Sequence, residues 1–197
     1  MWDQRYQSDD FVYGKEANGF LREACRGLNR GRVLCLAEGE GRNAVFLAEQ
    51  GHTVTAVDSS AVGLEKAQRL ATERGVQITT EVADLANYKI EEKSWDIIVS
   101  IFCHVPPRIR TNIHKSAVRG LRPGGAFILE GYTPAQLNLG TGGPPVSELM
   151  MTLAELKQEL TGLDLEHALE TEREVIEGSL HTGRGAVVQI IARKPSC

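Results

Sequence analysis

Two glycines and an aspartate, spread over a strand–helix–strand pattern, are the residues whose spacing points most directly to chemistry. Gly39 and Gly41 follow the apolar run Arg32–Leu36, and Asp58 ends the next apolar run, Thr53–Asp58. Glycines let a ligand approach the backbone closely, and the helix that follows presents free N–H groups. A carboxylate at the end of the second strand can accept hydrogen bonds from both hydroxyls of a ribose. The pattern predicts a nucleoside-type ligand at this edge of a sheet.

Two glutamates alternate with the glycines and favour one class of ligand. The string Gly39-x-Gly41-x-x-Ala44 also fits the fingerprint of dinucleotide-binding loops, which hold a pyrophosphate. Glu38 and Glu40 would repel that dianion at short range. S-adenosylmethionine instead carries a sulfonium and an ammonium group, to which an acidic loop is complementary. We therefore predict S-adenosylmethionine as the cofactor, with NAD(P) and a loop that merely connects strand to helix as the alternatives.

Histidines and an arginine near the same crevice are candidates for catalysis or for contact with a second substrate. His104 follows the apolar run 95–102, and imidazole titrates near neutral pH, so we predict a base or a substrate contact there. A purely local hydrogen-bonding role is the alternative. His181 and Arg184 lie in a predicted turn before the last strand, where they would hold an anionic substrate or form an ordinary polar hairpin. Further candidates for the pocket wall are Tyr13, Arg42 and Tyr132.

Short apolar runs alternate with helical patterns along the chain, which predicts βαβ units and a mostly parallel sheet. The predicted strands are 32–36, 53–58, 76–82, 95–102, 126–130, 163–170 with a continuation to 175, and 186–192. The predicted helices are 19–28, 43–50, 61–74, 107–120 and 152–160. Pro123-Gly124-Gly125 is predicted to be a turn.

Two segments outside this regular pattern are predicted to border the pocket. Residues 131–145 contain four glycines and three prolines, too many for a regular element, and we predict a substrate-side loop over 131–147. Residues 1–18, with Trp2, Tyr6 and Tyr13, are predicted to form an N-terminal lid. An aromatic cluster that only covers the sheet edge is the alternative.

Taken together, the motifs resemble the class I S-adenosylmethionine-dependent methyltransferases, in the branch of the tellurite-resistance (TehB-like) and thiopurine-methyltransferase-like enzymes. The resemblance runs nearly end to end, through WDQRY, FVYG, AEGEGRNA, VDSS, ADL, IFCHVPP, LRPGG, GYTPAQL and GTGGP. It implies a Rossmann-like three-layer αβα sandwich around a mostly parallel seven-stranded sheet. The last strand would be antiparallel and lie between the fifth and sixth.

The resemblance also implies roles for single residues. The glycine loop would embrace the methionine portion of the cofactor, Asp58 its ribose, and Asp84 with Leu85 its adenine. The full candidate set for the cofactor is Glu38, Gly39, Gly41, Asp58, Ser59, Asp84, Leu85, Phe102 and Cys103. Two positions depart from the family pattern, since Ala37 replaces the first glycine and Cys35 the usual acidic residue. We expect Ala37 to have a negative φ and Glu38 to supply the missing carboxylate.

Composition, charge and one further motif limit the classes of ligand and substrate that this chain is expected to bind. The 197 residues carry a formal net charge of −4, with 42% hydrophobic and 24% charged residues, which is typical of one globular domain and unlike a nucleic-acid backbone binder. The string His104-Val105-Pro106-Pro107 also differs from the (N/D)PP(Y/F) string of methylases that act on nitrogen in bases and amides. Neither a metal site nor a membrane span is expected, and the cysteine pattern suits the cytoplasm. We expect a small-molecule methyltransferase acting on a thiol or on a tellurium or selenium oxyanion, with an oxidoreductase or a non-catalytic binding module as alternatives.

Overall fold

A seven-stranded sheet forms the middle layer of the protein. The computed structural model describes residues 2–178 and 181–196. The strands are β1 (Arg32–Leu36), β2 (Thr53–Asp58), β3 (Thr79–Val82), β4 (Trp95–Ile101), β5 (Leu121–Tyr132), β6 (Asp164–Glu177) and β7 (His181–Arg193). Their spatial order is β3-β2-β1-β4-β5-β7-β6, and β7 alone runs antiparallel to its neighbours β5 and β6.

Helices cover both faces of this sheet. They are α1 (Trp2–Tyr6), α2 (Gly19–Ala24), α3 (Arg42–Glu49), α4 (Ala61–Glu73), α5 (Pro107–Gly120) and α6 (Leu153–Glu159). Buried side chains of α2, α3 and α4 form one apolar core with the sheet, and those of α5 and α6 form another on the opposite face. The predicted three-layer αβα fold with an antiparallel last strand is therefore confirmed.

The central strands are apolar on both faces because both faces are covered, as expected for a parallel sheet. Helix α4 begins where predicted, since the Ser60 hydroxyl accepts a hydrogen bond from the Gly63 backbone N–H at 3.0 Å. Gly51, with φ +88°, ends the turn after α3 and lets the chain enter β2. These local signals explain why the first half of the chain follows the prediction closely.

The second half of the chain differs from the prediction at three places. Pro123-Gly124-Gly125 does not separate two elements, because β5 runs through it with a register irregularity opposite Trp95 and Ile97. The predicted irregular stretch 131–145 is partly regular: β5 continues to Tyr132 and a 3₁₀ helix spans Pro134–Asn138.

The third difference is the length of the last hairpin. β6 extends to Glu177 and β7 begins at His181, so the two strands pair along almost their whole length. His181 and Arg184 therefore lie within β7 and not in a turn before it. The ends of these two strands at Glu177 and His181 therefore lie near the carboxyl ends of the parallel strands, where His181 lines the cavity.

Candidate cofactor and acceptor site

A cavity of about 440 Å³ opens at the carboxyl ends of the parallel strands. Open α/β sheets bind ligands at this edge. One wall comes from the loops after β1, β2 and β3 and contains Ala37, Glu38, Asp58, Ser59, Asp84 and Leu85. The other wall comes from the end of β4, the start of α3 and the start of β7, and contains Phe102, His104, Arg42 and His181.

The glycine loop owes its shape to three left-handed positions, which alternate along the chain. Ala37 has φ +50°, Gly39 +62° and Gly41 +89°, so the expectation of a negative φ at Ala37 was wrong. The turn needs left-handed backbone at the position of the family's first glycine, and alanine adopts it at a cost. A side chain at Gly41 would place its Cβ 2.4 Å from Ala67 Cβ on α4. Gly41 thus serves the packing of α3 against α4, and neither it nor Gly39 is part of the cavity wall.

Asp58 is fixed on the cavity wall by backbone donors. Its Oδ2 accepts from the Gly39 N–H and its Oδ1 from the Ser60 N–H, each at 2.8 Å. Burial raises the pKa of this carboxyl, and those hydrogen bonds oppose the rise. A carboxylate has about four lone-pair sites, so two donors leave acceptor capacity for a ligand. Asp58 is therefore positioned where the prediction for a ribose-binding carboxylate requires it.

Glu38 lies behind the glycine loop, with its carboxylate at the first turn of α3. Its Oε1 accepts from the Asn43 N–H at 2.9 Å and from the Ala44 N–H at 2.8 Å. Burial raises the pKa of Glu38 to about 7, although these hydrogen bonds and the Arg42 guanidinium favour the ionised form. A cation in the cavity would favour that ionised form further.

Glu40 forms a buried ion pair, although the sequence had suggested that its charge would help to select a cationic ligand. It pairs with Lys66 Nζ at 2.5 Å, and both side chains are buried. Its second partners are backbone N–H groups of the N-terminal segment, those of Val12 at 3.3 Å and Tyr13 at 3.1 Å. Because Lys66 balances its charge, Glu40 adds little to the negative potential of the cavity. The acidity that selects a cationic ligand comes from Glu38 and Asp58.

The predicted adenine-side residues, Asp84 and Leu85, lie together after β3. Both line the cavity, as does Ser59 after β2, and Asp84 Oδ1 accepts a hydrogen bond from the Ala86 N–H at 2.9 Å. The exposed Asp84 carboxylate and the buried Leu85 side chain give this corner one polar and one apolar contact.

Phe102 and Cys103, which were predicted as neighbours on the pocket wall, separate in the structure. Phe102 lines the cavity, in a left-handed conformation with φ +51°. Cys103 does not line it: its side chain is 3% exposed and belongs to the apolar core under α5 and α6. The chain turns at Phe102, so the next side chain points away from the cavity. Burial raises the pKa of the Cys103 thiol to about 12, which makes it a packing residue.

His104 lines the cavity, but backbone groups occupy both of its ring nitrogens. Nδ1 lies 3.0 Å from the Leu149 carbonyl oxygen and acts as donor, while Nε2 accepts from the Tyr132 N–H at 3.3 Å. Burial lowers the pKa of His104 to about 4, so the ring is neutral at pH 7. These contacts favour the local hydrogen-bonding alternative for His104 over a role as general base.

His181 and Arg184 point to opposite sides of β7, so they cannot hold one substrate together. Their separation of three residues places them on different faces of the strand. His181 is buried against the rings of Tyr13, at 4.6 Å between centroids, and Phe102, at 4.8 Å. Arg184 is exposed and pairs with Glu172 at 2.6 Å. The prediction of Arg184 at the site is therefore wrong.

A buried polar network behind the cavity was missed by the sequence analysis. Arg173 donates to both Glu130 oxygens, and its Nη2 also contacts Glu177 at 2.8 Å. Arg42 Nη2 donates to Glu177 at 2.5 Å and thereby links the network to the cavity. Two arginines balance two glutamates, and Asn18 and Gln189 add further donors. The sequence named Arg42 as a wall residue, but no spacing could indicate partners more than 100 positions away.

The N-terminal segment covers part of the cavity. Trp2, Arg5, Tyr6 and Tyr13 contribute to its wall. Lys66 Nζ donates to the Ser8 carbonyl at 2.9 Å and to the Asp10 carbonyl at 2.6 Å, which holds the segment against α4. The segment is thus placed where the predicted lid would be, and its opening and closing remain a prediction.

Comparison with known proteins identifies the domain. Residues 33–125 match a family described as methyltransferase domain. A curated relative, the 2-heptyl-1-hydroxyquinolin-4(1H)-one methyltransferase of Mycobacteroides abscessus, is 32% identical over 127 residues, 62% of this chain and 56% of that protein. Residues 33–125 of this chain are therefore similar in sequence to methyltransferase domains. An uncharacterized methyltransferase of Bacillus subtilis, YbaJ, is 31% identical over 98 residues, 49% of this chain and 38% of that protein. The chain thus spans about half or less of the length of these curated relatives.

Solved structures share the fold of this chain. TehB from Haemophilus influenzae superimposes with a TM-score of 0.73 at 20% identity, over 98% of this chain and 65% of that one. A protein studied for the conversion of a disulfide bond into a thioacetal group during echinomycin biosynthesis gives a TM-score of 0.76 at 20% identity, over 99% and 91%. The sequence similarity to methyltransferases indicates S-adenosylmethionine as the cofactor.

The residues described around the cavity fit that cofactor and show no competing metal site. Among residues 2–178 and 181–196, no three His, Cys, Asp or Glu side chains converge in a way that could hold a metal ion. Within the same residues, no helix combines the length and the apolar character needed to cross a bilayer. The first glycine of the family loop remains replaced by Ala37, but the left-handed backbone that this glycine usually provides is kept.

Proposed function

We propose that this methyltransferase domain transfers a methyl group from S-adenosylmethionine to a small molecule with an acidic nucleophile. The observation that carries the proposal is the two-sided cavity. Asp58 and Glu38 place carboxylates on one wall, whereas aromatic rings and histidines contribute much of the rest of the lining. A cationic, ribose-containing cofactor is complementary to the first wall, and a flat organic acceptor to the second.

Residues of the first wall are proposed to contact different parts of the cofactor. Asp58 would accept hydrogen bonds from the ribose hydroxyls, Asp84 and Leu85 would bound the adenine, and Glu38 would face the cationic end. When bound, the cofactor supplies a methyl group activated by its sulfonium. The protein aligns the reacting groups and excludes water, since an in-line displacement needs orientation more than proton transfer.

The nucleophile of the acceptor must ionise without a strong base from the protein, because the histidines of the site are only weak bases. The nitrogens of His104 are engaged, and burial lowers the pKa of His181 to about 3. A nucleophile that ionises near neutral pH needs no strong base. Thiols, N-hydroxyl groups and tellurium or selenium oxyanions meet this condition. The name of the Mycobacteroides abscessus relative, which includes a 1-hydroxyquinolone, supports the N-hydroxyl class; the resemblance to the TehB-like branch supports the thiol and oxyanion classes.

We further propose that residues 1–197 act as one domain, with residues 1–18 as a lid and 131–147 as a substrate-side loop. Small molecules are the proposed partners, nucleic acids and membranes are not, and the cytoplasm is the proposed location. The acidic net charge of −4 supports the exclusion of a nucleic-acid backbone.

Calorimetry separates this proposal from its alternatives. We expect S-adenosylhomocysteine to bind and NAD and NADP not to bind at the same concentrations. Incubation with methyl-labelled S-adenosylmethionine and a panel of thiols, N-hydroxy heteroaromatics, tellurite and selenite should then label at least one acceptor. Binding of NAD without S-adenosylhomocysteine would favour an oxidoreductase. Cofactor binding with no labelled product across the panel would favour a non-catalytic module.

A further inference from the structure

We propose that Arg42 and His181 form an anion-binding subsite that holds a negatively charged oxygen of a flat, aromatic acceptor. The assignment to the acceptor rests on the proposed function. Arg42 takes the role that the sequence analysis gave to Arg184. Both residues line the cavity, Arg42 at the start of α3 and His181 at the start of β7.

Arg42 contributes a guanidinium that is only partly used. Its side chain is 7% exposed, and Nη2 donates to Glu177 at 2.5 Å. Nη1 is buried, and no atom of the described residues accepts a hydrogen bond from it. An unsatisfied charged donor is costly in a protein interior, so its presence on a cavity wall points to an acceptor supplied by a ligand. Arginine presents its N–H groups as a planar fork suited to oxyanions.

His181 contributes a second unused nitrogen to the same wall. It is 9% exposed, and its Nδ1 has no hydrogen-bond partner among the described residues. The ring is neutral at pH 7, because burial and the nearby Arg42 guanidinium lower its pKa. A neutral imidazole that carries its proton on Nδ1 can donate it to an oxygen that Arg42 also binds.

The charges around the pair favour an anion. Arg42, Arg5, Glu177 and His104 are the charged or titratable groups that act on His181. Glu177 is already matched by Arg173 at 2.8 Å as well as by Arg42, and Glu130 is matched by Arg173. Arg5 lines the cavity beside Tyr13, to whose hydroxyl it donates at 3.1 Å. The network is neutral as a whole, and Arg5 makes this end of the cavity positive.

Aromatic rings beside the pair define the shape of the ligand. Phe102 and Tyr132 lie 4.7 Å apart between centroids, at an angle of 34°, and both are within 5.5 Å of His181. Tyr13 packs against His181 from the N-terminal segment. Phe102 and Tyr13 line the cavity, whereas Tyr132 is 1% exposed and supports them from behind. The two lining rings are suited to a planar ligand, which can stack or pack edge-to-face. An aromatic oxyanion satisfies both the rings and the two nitrogens.

Three small probes test the subsite directly. Benzoate is flat and anionic, benzamide is its neutral isostere, and cyclohexanecarboxylate is anionic but not flat. We would titrate each probe by calorimetry or ligand-observed NMR, with the protein free and saturated with S-adenosylhomocysteine. Benzoate should bind at least about tenfold more tightly than benzamide, since a charged hydrogen bond is worth about that factor. It should also bind more tightly than cyclohexanecarboxylate.

Variants assign the effect to the two side chains. Arg42→Lys keeps the positive charge beside Glu177 but removes the second guanidinium nitrogen, and His181→Phe keeps an aromatic ring. Each should weaken benzoate binding by about fivefold or more and leave the affinity for S-adenosylhomocysteine within about twofold. Arg184→Gln, an exposed arginine on the same strand, is the matched control and should leave both affinities unchanged. Unchanged melting temperatures verify folding. If Arg42→Lys fails this check, Arg42→Gln in a Glu177→Gln background replaces it.

Two outcomes would overturn the subsite. Equal affinities for benzoate and benzamide would show that no anion is recognised. A loss of S-adenosylhomocysteine affinity in Arg42→Lys, with benzoate binding intact, would show that the pair binds the carboxylate of the cofactor. If the wild-type domain does not bind S-adenosylhomocysteine, the proposed function fails, but benzoate binding by the free protein still decides the subsite.

Discussion

The two ends of the cavity are built by different means. At the glycine-loop end, carboxylates of Glu38 and Asp58 accept hydrogen bonds from backbone N–H groups at most 19 positions away in the chain. At the hairpin end, charged and polar side chains bind one another across long sequence separations: the Arg42 guanidinium contacts Glu177 over 135 positions, and the Asn18 amide contacts Glu177 over 159. One end is a local motif, and the other forms only when the sheet is complete.

Because of this difference, we expect substitutions at one end to change mainly ligand affinity and substitutions at the other to change mainly the free energy of unfolding. Backbone-held carboxylates keep acceptor capacity for a ligand, so changes there should act mainly on cofactor affinity. At the hairpin end, the buried Arg42, Glu130 and Glu177 and the partly buried Arg173 neutralise one another, and removing a cation leaves a buried carboxylate without it. Changes in that network should act mainly on folding. Changes at Gly41, where the glycine loop packs against α4, should destabilise the fold by an intermediate amount.

The largest expected effect lies at the hairpin end. Arg173→Met should lower the free energy of unfolding by about 3 kcal/mol, because the fully buried Glu130 and its neighbour Glu177 lose a cation. Urea unfolding measures this change. The matched control is Arg193→Met, which breaks the more exposed pair with Glu166 on the same hairpin and should cost below about 1 kcal/mol. Similar losses in both variants would remove the distinction between the network and an ordinary surface pair.

A second, smaller effect tests the packing of the glycine loop. Gly41→Ala should destabilise the domain by about 2–3 kcal/mol, since the new Cβ would meet Ala67 at 2.4 Å and the backbone is left-handed. Gly75→Ala is the control, because Gly75 has φ +69° but no atom within 4 Å of an added Cβ. It should cost about 1 kcal/mol, from backbone strain alone. Thermal unfolding of both variants separates the contact with α4 from the strain.

The same contrast explains which parts of the site sequence reasoning can reach. Asp58, Ser60 and the glycine loop were predictable because strand ends, caps and turn residues act within a few positions of one another. The conformation of Ala37 was mispredicted because its left-handed φ is imposed by the whole turn and not by alanine itself.

The hairpin end was harder to predict because strand length decides which side chains face the cavity. A turn was predicted at His181 and Arg184, but β7 begins at His181 and the alternation of side chains along the strand then places Arg184 in solvent. Cys103 left the site for a similar reason, a turn of the chain at Phe102. The partners of Arg42 depend on pairing between distant strands, for which a single sequence carries no local signal.

At the glycine-loop end, Asp58→Ala should weaken the binding of S-adenosylhomocysteine by about 10- to 100-fold, the range of a charged hydrogen bond. Calorimetry measures the affinity. The matched control is Asp164→Ala, an exposed aspartate at the start of β6, which should leave it unchanged. Benzoate binding should also persist in Asp58→Ala, since Arg42 and His181 form the proposed subsite. Unaltered cofactor affinity would exclude Asp58 from ribose binding.

The smallest effect concerns protons at Glu38. In the free domain its pKa is raised to about 7, and a bound cation favours the ionised form, so that binding lowers this pKa. Below pH 7 the cofactor must displace a proton, and its affinity should fall by about tenfold between pH 8 and pH 6. Glu38→Gln should flatten this dependence, whereas the exposed Glu148→Gln should retain it. Calorimetry at pH 6, 7 and 8 in buffers of different ionisation enthalpy would also detect the released proton directly. A steep pH dependence that survives in Glu38→Gln would assign the proton to another group, and the cation would then be recognised at this end by Asp58 alone.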